Sequence, residues 1–273
     1  MTLVNKLTAI GDAIREKTGG TAELTLDQMV TEIGGITGGG EVDTSVVNNI
    51  ITRSITSYTN NRVTELRSSA FNGSSKLQTV SLPKVIKIGD NVFGNCSVLT
   101  SLDIPLVTET GSSCFSFCSV LTEIDLQYLT TLGSGAFHYC KKLQRVSLPL
   151  VSTIGSSTFN HCENLTDVNL PSVTAIDANT FMYCTALTKL ELPALTEMAA
   201  SAFNYASKFE TLILSNTVGV VTLKTSSFSN NPIASGTGYI YVPDELVEDY
   251  KVATNWVNYA NQIKPLSEYV EVS

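Results

Sequence analysis

Basic residues are scarce and scattered. The chain holds 17 lysines and arginines in 273 residues against 25 aspartates and glutamates, a formal net charge of −8. Nucleic acid and anionic membranes are recognised by clustered cations, so neither is an expected partner. Charged residues together reach 15%, where soluble domains carry roughly 25%; threonine, serine and asparagine must therefore make up much of a neutral, hydrogen-bonding surface. Histidine occurs twice, at His138 and His161, which leaves an enzyme few general bases. There is no glycine-rich phosphate loop, GxSxG elbow or HExxH stretch, so the common phosphate, acyl-transfer and zinc-hydrolase motifs are missing. No apolar run reaches the roughly 18 residues of a membrane-spanning helix. The N-terminus, MTLVNKLTAIGDAIREKTGG, has no basic leader followed by an unbroken apolar core, so Sec-type export is not expected.

What the chain does have is a period. Phe71, Phe93, Phe115, Phe137, Phe159, Phe181 and Phe203 are spaced by 22 residues without interruption. Leu77, Leu99, Leu121, Leu143, Leu165 and Leu187 keep the same spacing, as do the columns that begin at Val80 and Leu82. Self-similarity of this length marks a solenoid, in which each repeat is one turn that buries its apolar side against the next. The segment LxxVxLP reads as a strand ended by proline at 83, 105, 149, 171 and 193, with Gln127 in its place once. A second short strand carries Val85 and Ile88, then Gly89, a glycine repeated at 111, 133 and 155.

The six cysteines follow the same logic. Cys96, Cys118, Cys140, Cys162 and Cys184 obey the period, and Cys114 sits in a column otherwise holding alanine, valine and threonine. Equivalent side chains on stacked coils lie about 4.8 Å apart and point the same way, whereas a disulfide needs converging Cβ atoms roughly 3.5–4.5 Å apart. They read as free, buried core residues. His138 near Cys140 and His161 beside Cys162 occupy different columns, which does not suit the four convergent ligands of a zinc site. No metal or cofactor is expected, and no DxDxDG-type loop supports calcium.

The flanks differ from the array. Leu3, Leu7, Ile10 and Ile14 place one apolar stripe on a short helix over residues 2–17. Thr25 with Gln28 opens a second helix carrying Leu26, Met29, Val30 and Ile33. The expected fold is a mainly β repeat solenoid with a small N-terminal helical module and a C-terminal helical cap. Residues 1–36 form the attachment or oligomerisation module, 37–41 a glycine-rich linker, 42–243 the solenoid with a degenerate first coil over 42–70, and 244–273 the cap. Pro243-Asp244-Glu245 should open a helix presenting Leu246, Val247 and Tyr250, with Trp256 and Tyr259 over the last coil.

The columns Leu77-x-x-Val80-x-Leu82-Pro83, Val85-x-x-Ile88-Gly89 and Phe93-x-x-Cys96 resemble the bacterial BspA-type leucine-rich repeat. The resemblance covers residues about 55–243; it implies parallel strands on two faces and a role in adhesion and binding. Family repeats often run to 23 residues, so the turn after the proline strand is one residue shorter here. The N-terminal segment and the tail from Tyr239 to Tyr269 resemble the ends of repeat proteins among tail and other structural proteins of phages and prophages of Gram-positive bacteria. This implies a virion protein that recognises a glycan or protein on the host surface, with a tail partner or self-association through residues 1–36. The alternative is a BspA-like adhesin on a bacterial cell surface.

Two candidate surfaces follow from the columns. Phe117, Tyr139, His161, Tyr183 and Tyr205 share the position two after the phenylalanine column, preceded by Asn95 and Gly73; with its neighbours inward, this row should lie at the surface as a platform of rings for a sugar chain or an extended polypeptide. The rival is the outward side of the LxxVxL strand, with Asp103, Glu123, Asp125, Arg145 and Asp167. Paired carboxylates there make a glycosidase conceivable, but a solvated strand face is the stronger reading, and no catalytic residue is assigned.

Overall fold

Each repeat folds into one flattened coil with two short strands and a turn-rich third side. The structure, a computed structural model, describes residues 55–61 and 63–271. The expected N-terminal helices, the linker and the start of the first coil fall outside these residues. Nine first strands run from Ser57–Thr59 to Tyr239–Val242. They pair in parallel and in register, Val80 with Leu102, Ile124 with Val146, Leu190 with Leu212. The hydrogen-bonded groups span the coils of Ser57 to Asp103, Glu123 to Asn169 and Lys189 to Val242. The second strands, two residues each, pair in the same way from Glu65–Leu66 to Thr131–Leu132 and from Thr153–Ile154 to Thr222–Leu223.

The side-chain period of a strand explains the burial. In Glu123–Asp125 the flanking acids are exposed and Ile124 is buried, because successive side chains point to opposite faces. The proline after the strand turns the chain into the second strand. Val85 N–H donates to the Leu82 carbonyl at 3.1 Å, and Leu129 N–H donates to Leu126 at 3.2 Å where Gln127 stands for proline. The turn does not need the proline; proline only fits it, having no N–H to lose.

Inside, the columns become ladders. Phe71 through Phe203 and then Phe228 stack with centroids 5.2–5.7 Å apart, and Phe93 through Phe228 have no exposed surface. All six cysteines are free and buried. Cys118 Sγ donates to the Phe93 carbonyl and Cys162 Sγ to the Phe137 carbonyl, each at 3.2 Å. Burial pushes the Cys96 and Cys140 thiols up to about 12, so they behave as small apolar residues rather than nucleophiles.

The third side is also hydrogen-bonded, but with an unusual backbone. Phe93 N–H donates to Cys114 at 2.8 Å, and Phe117 N–H to His138 at 2.8 Å. The positions two before and two after each phenylalanine lie in the left-handed region. Ser113, Ser157 and Asn179 have φ of 54°, 57° and 59°; Asn95, Phe117, Tyr139, His161, Tyr183 and Tyr205 have φ of 59–61°.

After Thr222–Leu223 the longer coil carries a one-turn helix, Pro232–Ser235, capped by the Asn231 side chain. The helix expected at Pro243 begins later. Asp244–Leu246 is a 3-10 turn and the α-helix spans Val247–Val252. Trp256 and Tyr250 are fully buried; Trp256 Nε1 donates to the Val221 carbonyl at 2.6 Å. Tyr259 sits edge-on to Phe228 at 5.1 Å. Ile263–Pro265 then adds a parallel strand beside Tyr239–Val242.

Candidate functional site

The ring row starts from its backbone. A left-handed residue in every coil, held by a coil-to-coil hydrogen bond, directs equivalent side chains the same way. Phe117 and Tyr139 stack at 5.0 Å, Tyr139 and His161 at 4.2 Å, His161 and Tyr183 at 4.3 Å, Tyr183 and Tyr205 at 4.7 Å. Interplanar angles between these neighbours are 8–21°. The structure thus brings all five residues into one continuous row, and it changes what the row offers. Faces are covered by neighbouring faces, so a platform for stacking on ring faces does not exist along the middle of the row. What meets solvent is a ribbon of ring edges. The end rings keep the most exposure, Phe117 at 43% and Tyr205 at 41%.

Polar groups border the ribbon. Lys141 Nζ lies 5.7 Å from the Tyr139 ring centre and 2.8 Å from Glu163, whose carboxylate is 3.6 Å from His161 Nδ1. The Lys141 hydrogen bond holds the Glu163 carboxyl below its ordinary range, and Glu163 raises Lys141 in turn. Among the described residues, the hydroxyls of Tyr139, Tyr183 and Tyr205 have no internal hydrogen bond. On the inner side His138 meets Phe117 and Tyr139 edge-on, at 5.7 and 4.6 Å. Its Nδ1 is enclosed without a partner, and burial lowers its pKa from 6.5.

The rival residues lie on the first-strand face, all exposed. Asp103 accepts from Ser81 Oγ at 2.7 Å, Asp125 from Gln127 Nε2, and Arg145 Nε is 3.6 Å from Asp167. These acids are engaged with their own neighbours rather than converging on a common point. No group of three histidine, cysteine, aspartate or glutamate side chains with metal-holding geometry occurs among the described residues. The left-handed backbone of the ring row went unread in the sequence: Gly73 and Asn95 at the head of the column were its only signal, since glycine and asparagine are the residues that adopt it readily.

Two parallel strand ladders per coil, closed by a turn-rich third side over a leucine and phenylalanine core, define a leucine-rich repeat solenoid. The chain belongs to the BspA type leucine-rich repeat family: the model of that repeat region matches residues 48–150 and 130–240, in six copies. Solved structures agree. A leucine rich cell surface protein from Faecalibacterium prausnitzii A2-165 is 30% identical with a TM-score of 0.54, over 58% of this chain and 47% of that one. The Treponema pallidum leucine rich repeat protein is 30% identical with a TM-score of 0.50, over 54% and 72%. A Bacteroides ovatus leucine-rich repeat protein shares the fold at 22% identity and a TM-score of 0.52, over 70% and 56%. The chain thus spans about half the length of the Faecalibacterium and Bacteroides structures. Among curated proteins none matches.

Proposed function

We propose that this chain is a non-enzymatic binding protein that recognises a glycan or protein on a cell surface through the row Phe117, Tyr139, His161, Tyr183 and Tyr205. The observation that carries this is the conjunction of aromatic side chains with left-handed backbone at φ of 59–61° on five consecutive coils. A non-glycine residue in that region costs about 1–2 kcal/mol, while an aromatic pair returns about 0.5–1.5 kcal/mol. The two nearly cancel. Asparagine at Asn95 and Asn230 fills the same position with less strain, so stability alone does not favour the rings. The binding mode is edge-on, with the tyrosine hydroxyls, His161, Lys141 and Glu163 supplying hydrogen bonds to an oxygen-rich ligand.

In this reading residues 1–36 attach or oligomerise the protein, and residues 244–271 close the array through Trp256, Tyr250 and Tyr259. Surface display is supported by the Faecalibacterium relative, described as a cell surface protein; assignment to a virion tail rests on the terminal segments alone. Neighbouring genes for tail and lysis proteins would favour the virion, and genes for transport or wall anchoring the bacterial surface.

The test replaces Tyr139 and Tyr183 by asparagine, which suits the left-handed backbone. Binding to Gram-positive cells and to a glycan array should fall at least tenfold while the melting temperature stays within a few degrees. Binding that survives this change but is lost in the Glu123→Lys, Asp125→Lys variant would move recognition to the strand face.

A further inference from the structure

Of the large apolar residues exposed on the array, three lie together away from Phe117, Tyr205 and Val218. Leu106, Tyr128 and Leu150 are 44%, 56% and 49% exposed, and they occupy one column, the corner residue just after the first strand, on three consecutive coils. Elsewhere that column holds Lys84, Ser172 and Ala194. Ile86, 47% exposed, lies two positions past the corner on the preceding coil. Single exposed apolar residues need no explanation, but a contiguous row does. With coils about 4.8 Å apart, the three corner residues form a ridge roughly 10 Å long between its outer members.

Beside the ridge the charge is uncompensated. Elsewhere the chain neutralises acids from coil to coil: Lys87 with Glu109 at 2.7 Å, Lys141 with Glu163 at 2.8 Å, Arg145 with Asp167 at 3.6 Å. Among the described residues no cation pairs with Asp103, Glu123 or Asp125, although Arg145 stands in register with Glu123. Asp103 and Asp125 occupy the same column on adjacent coils, three residues before Leu106 and Tyr128. Like charges so placed repel.

We infer that this corner docks a partner polypeptide in the form of a basic amphipathic helix lying along the solenoid axis. The spacing selects a helix. One helical turn rises about 5.4 Å, close to the coil repeat of about 4.8 Å, whereas same-face residues of an extended strand recur every roughly 6.6–6.8 Å. Over three coils a helix drifts out of step by about 1 Å and a strand by about 4 Å. Leucine-like residues at i, i+3 or i+4, and i+7 would interdigitate with Leu106, Tyr128 and Leu150, and flanking lysines would meet Asp103, Glu123 and Asp125. Charge also selects the occupant: a second copy would bring the same acids against each other, and an anionic membrane would be repelled. The ridge is separate from the ring row, so the two surfaces stand or fall independently.

The test is fluorescence anisotropy at about 0.15 M salt with a labelled 18-residue peptide of leucine and lysine in helical register. A glutamate-for-lysine counterpart serves as the control. Saturable binding of the lysine peptide is expected. It should weaken at least tenfold in the Leu106→Ser, Tyr128→Ser, Leu150→Ser variant and severalfold in Asp103→Asn, Asp125→Asn, and remain unchanged in Tyr139→Asn, Tyr183→Asn. Leu150→Lys, a single surface change, replaces the triple variant if that one does not fold. Absence of binding, equal binding of the glutamate peptide, indifference to the ridge substitutions, or sedimentation showing that the ridge instead joins two copies of the chain would each overturn the inference.

Discussion

Phe137 shows what one column residue contributes. Its ring is fully buried and stacks 5.2 Å from Phe115 and 5.5 Å from Phe159. Truncation leaves a cavity that two rigid neighbours cannot fill, so Phe137→Ala should cost about 3–5 kcal/mol, read from urea unfolding. The buried thiols should alkylate slowly in native protein even at pH 8, and quickly once guanidinium exposes them, because Cys96 and Cys140 sit near 12. His138 makes a separate prediction. Its folded pKa is depressed below 6.5 by burial, with His161 adding repulsion and the Ser157 carbonyl opposing both. Between the two values the unfolded chain binds the extra proton, so stability is full above the unfolded pKa and falls as pH drops through it toward the folded value. His138→Asn, the residue type found at Asn72 and Asn160 in the same column, should flatten the stability profile as the pH falls below about 6.5. The buried phenylalanine and cysteine columns were legible in the sequence because a 22-residue period repeats them. Backbone handedness was not: an aromatic residue is a poor sign of positive φ, and the serines and asparagines at Ser69, Asn91 and Ser113 read equally well as ordinary turn residues.

At the level of the element, the glycine before the third side at 89, 111, 133 and 155, replaced by Asp177 and Ala199 in later coils, has a physical cause that its sequence column only hinted at. A Cβ built at Gly133 would lie 2.2 Å from the carbonyl carbon of Gly111 and 2.3 Å from its oxygen. Neighbouring coils therefore touch backbone to backbone there. Gly133→Ala should destabilise by about 1–3 kcal/mol, the range for forced overpacking, seen as a lower melting temperature. At Gly155 the nearest atom is the Ser134 hydroxyl, at 2.5 Å, which can rotate away, so Gly155→Ala should cost less. An equal cost at both sites would show that backbone entropy, not contact, governs the column. Elements with a repeated pattern were readable to within a residue or two, as with LxxVxLP. The tail has no repeat to average over, and there the expected helix at Pro243 proved to be a 3-10 turn before the helix at Val247. The ridge of Leu106, Tyr128 and Leu150 escaped notice for a related reason: leucine beside a strand looks like core until the coil shows it at a corner.

On the scale of the whole array, stability is a sum of coils and coil-to-coil interfaces, so cooperativity depends on every interface being of similar strength. The near-uniform phenylalanine stacking, 5.2–5.7 Å from Phe71 to Phe228, supplies that condition. The chain also carries its own reporter, a single tryptophan that is buried and bonded to the Val221 carbonyl at the C-terminal end. Tryptophan fluorescence follows that end, while circular dichroism in the far ultraviolet follows the array. In the unmodified protein the two urea transitions should coincide, since the phenylalanine ladder runs unbroken across the coils where the strand ladders pause. Phe137→Ala weakens the two adjoining interfaces near the middle, with Phe115 and with Phe159, and the array should then divide there. The two probes should give separate midpoints, with one half of the solenoid persisting after the other has unfolded. Coincident midpoints in the variant would mean that coupling extends over more coils than nearest-neighbour contacts allow, and divergent midpoints in the unmodified chain would mean that the C-terminal coils are an independent unit.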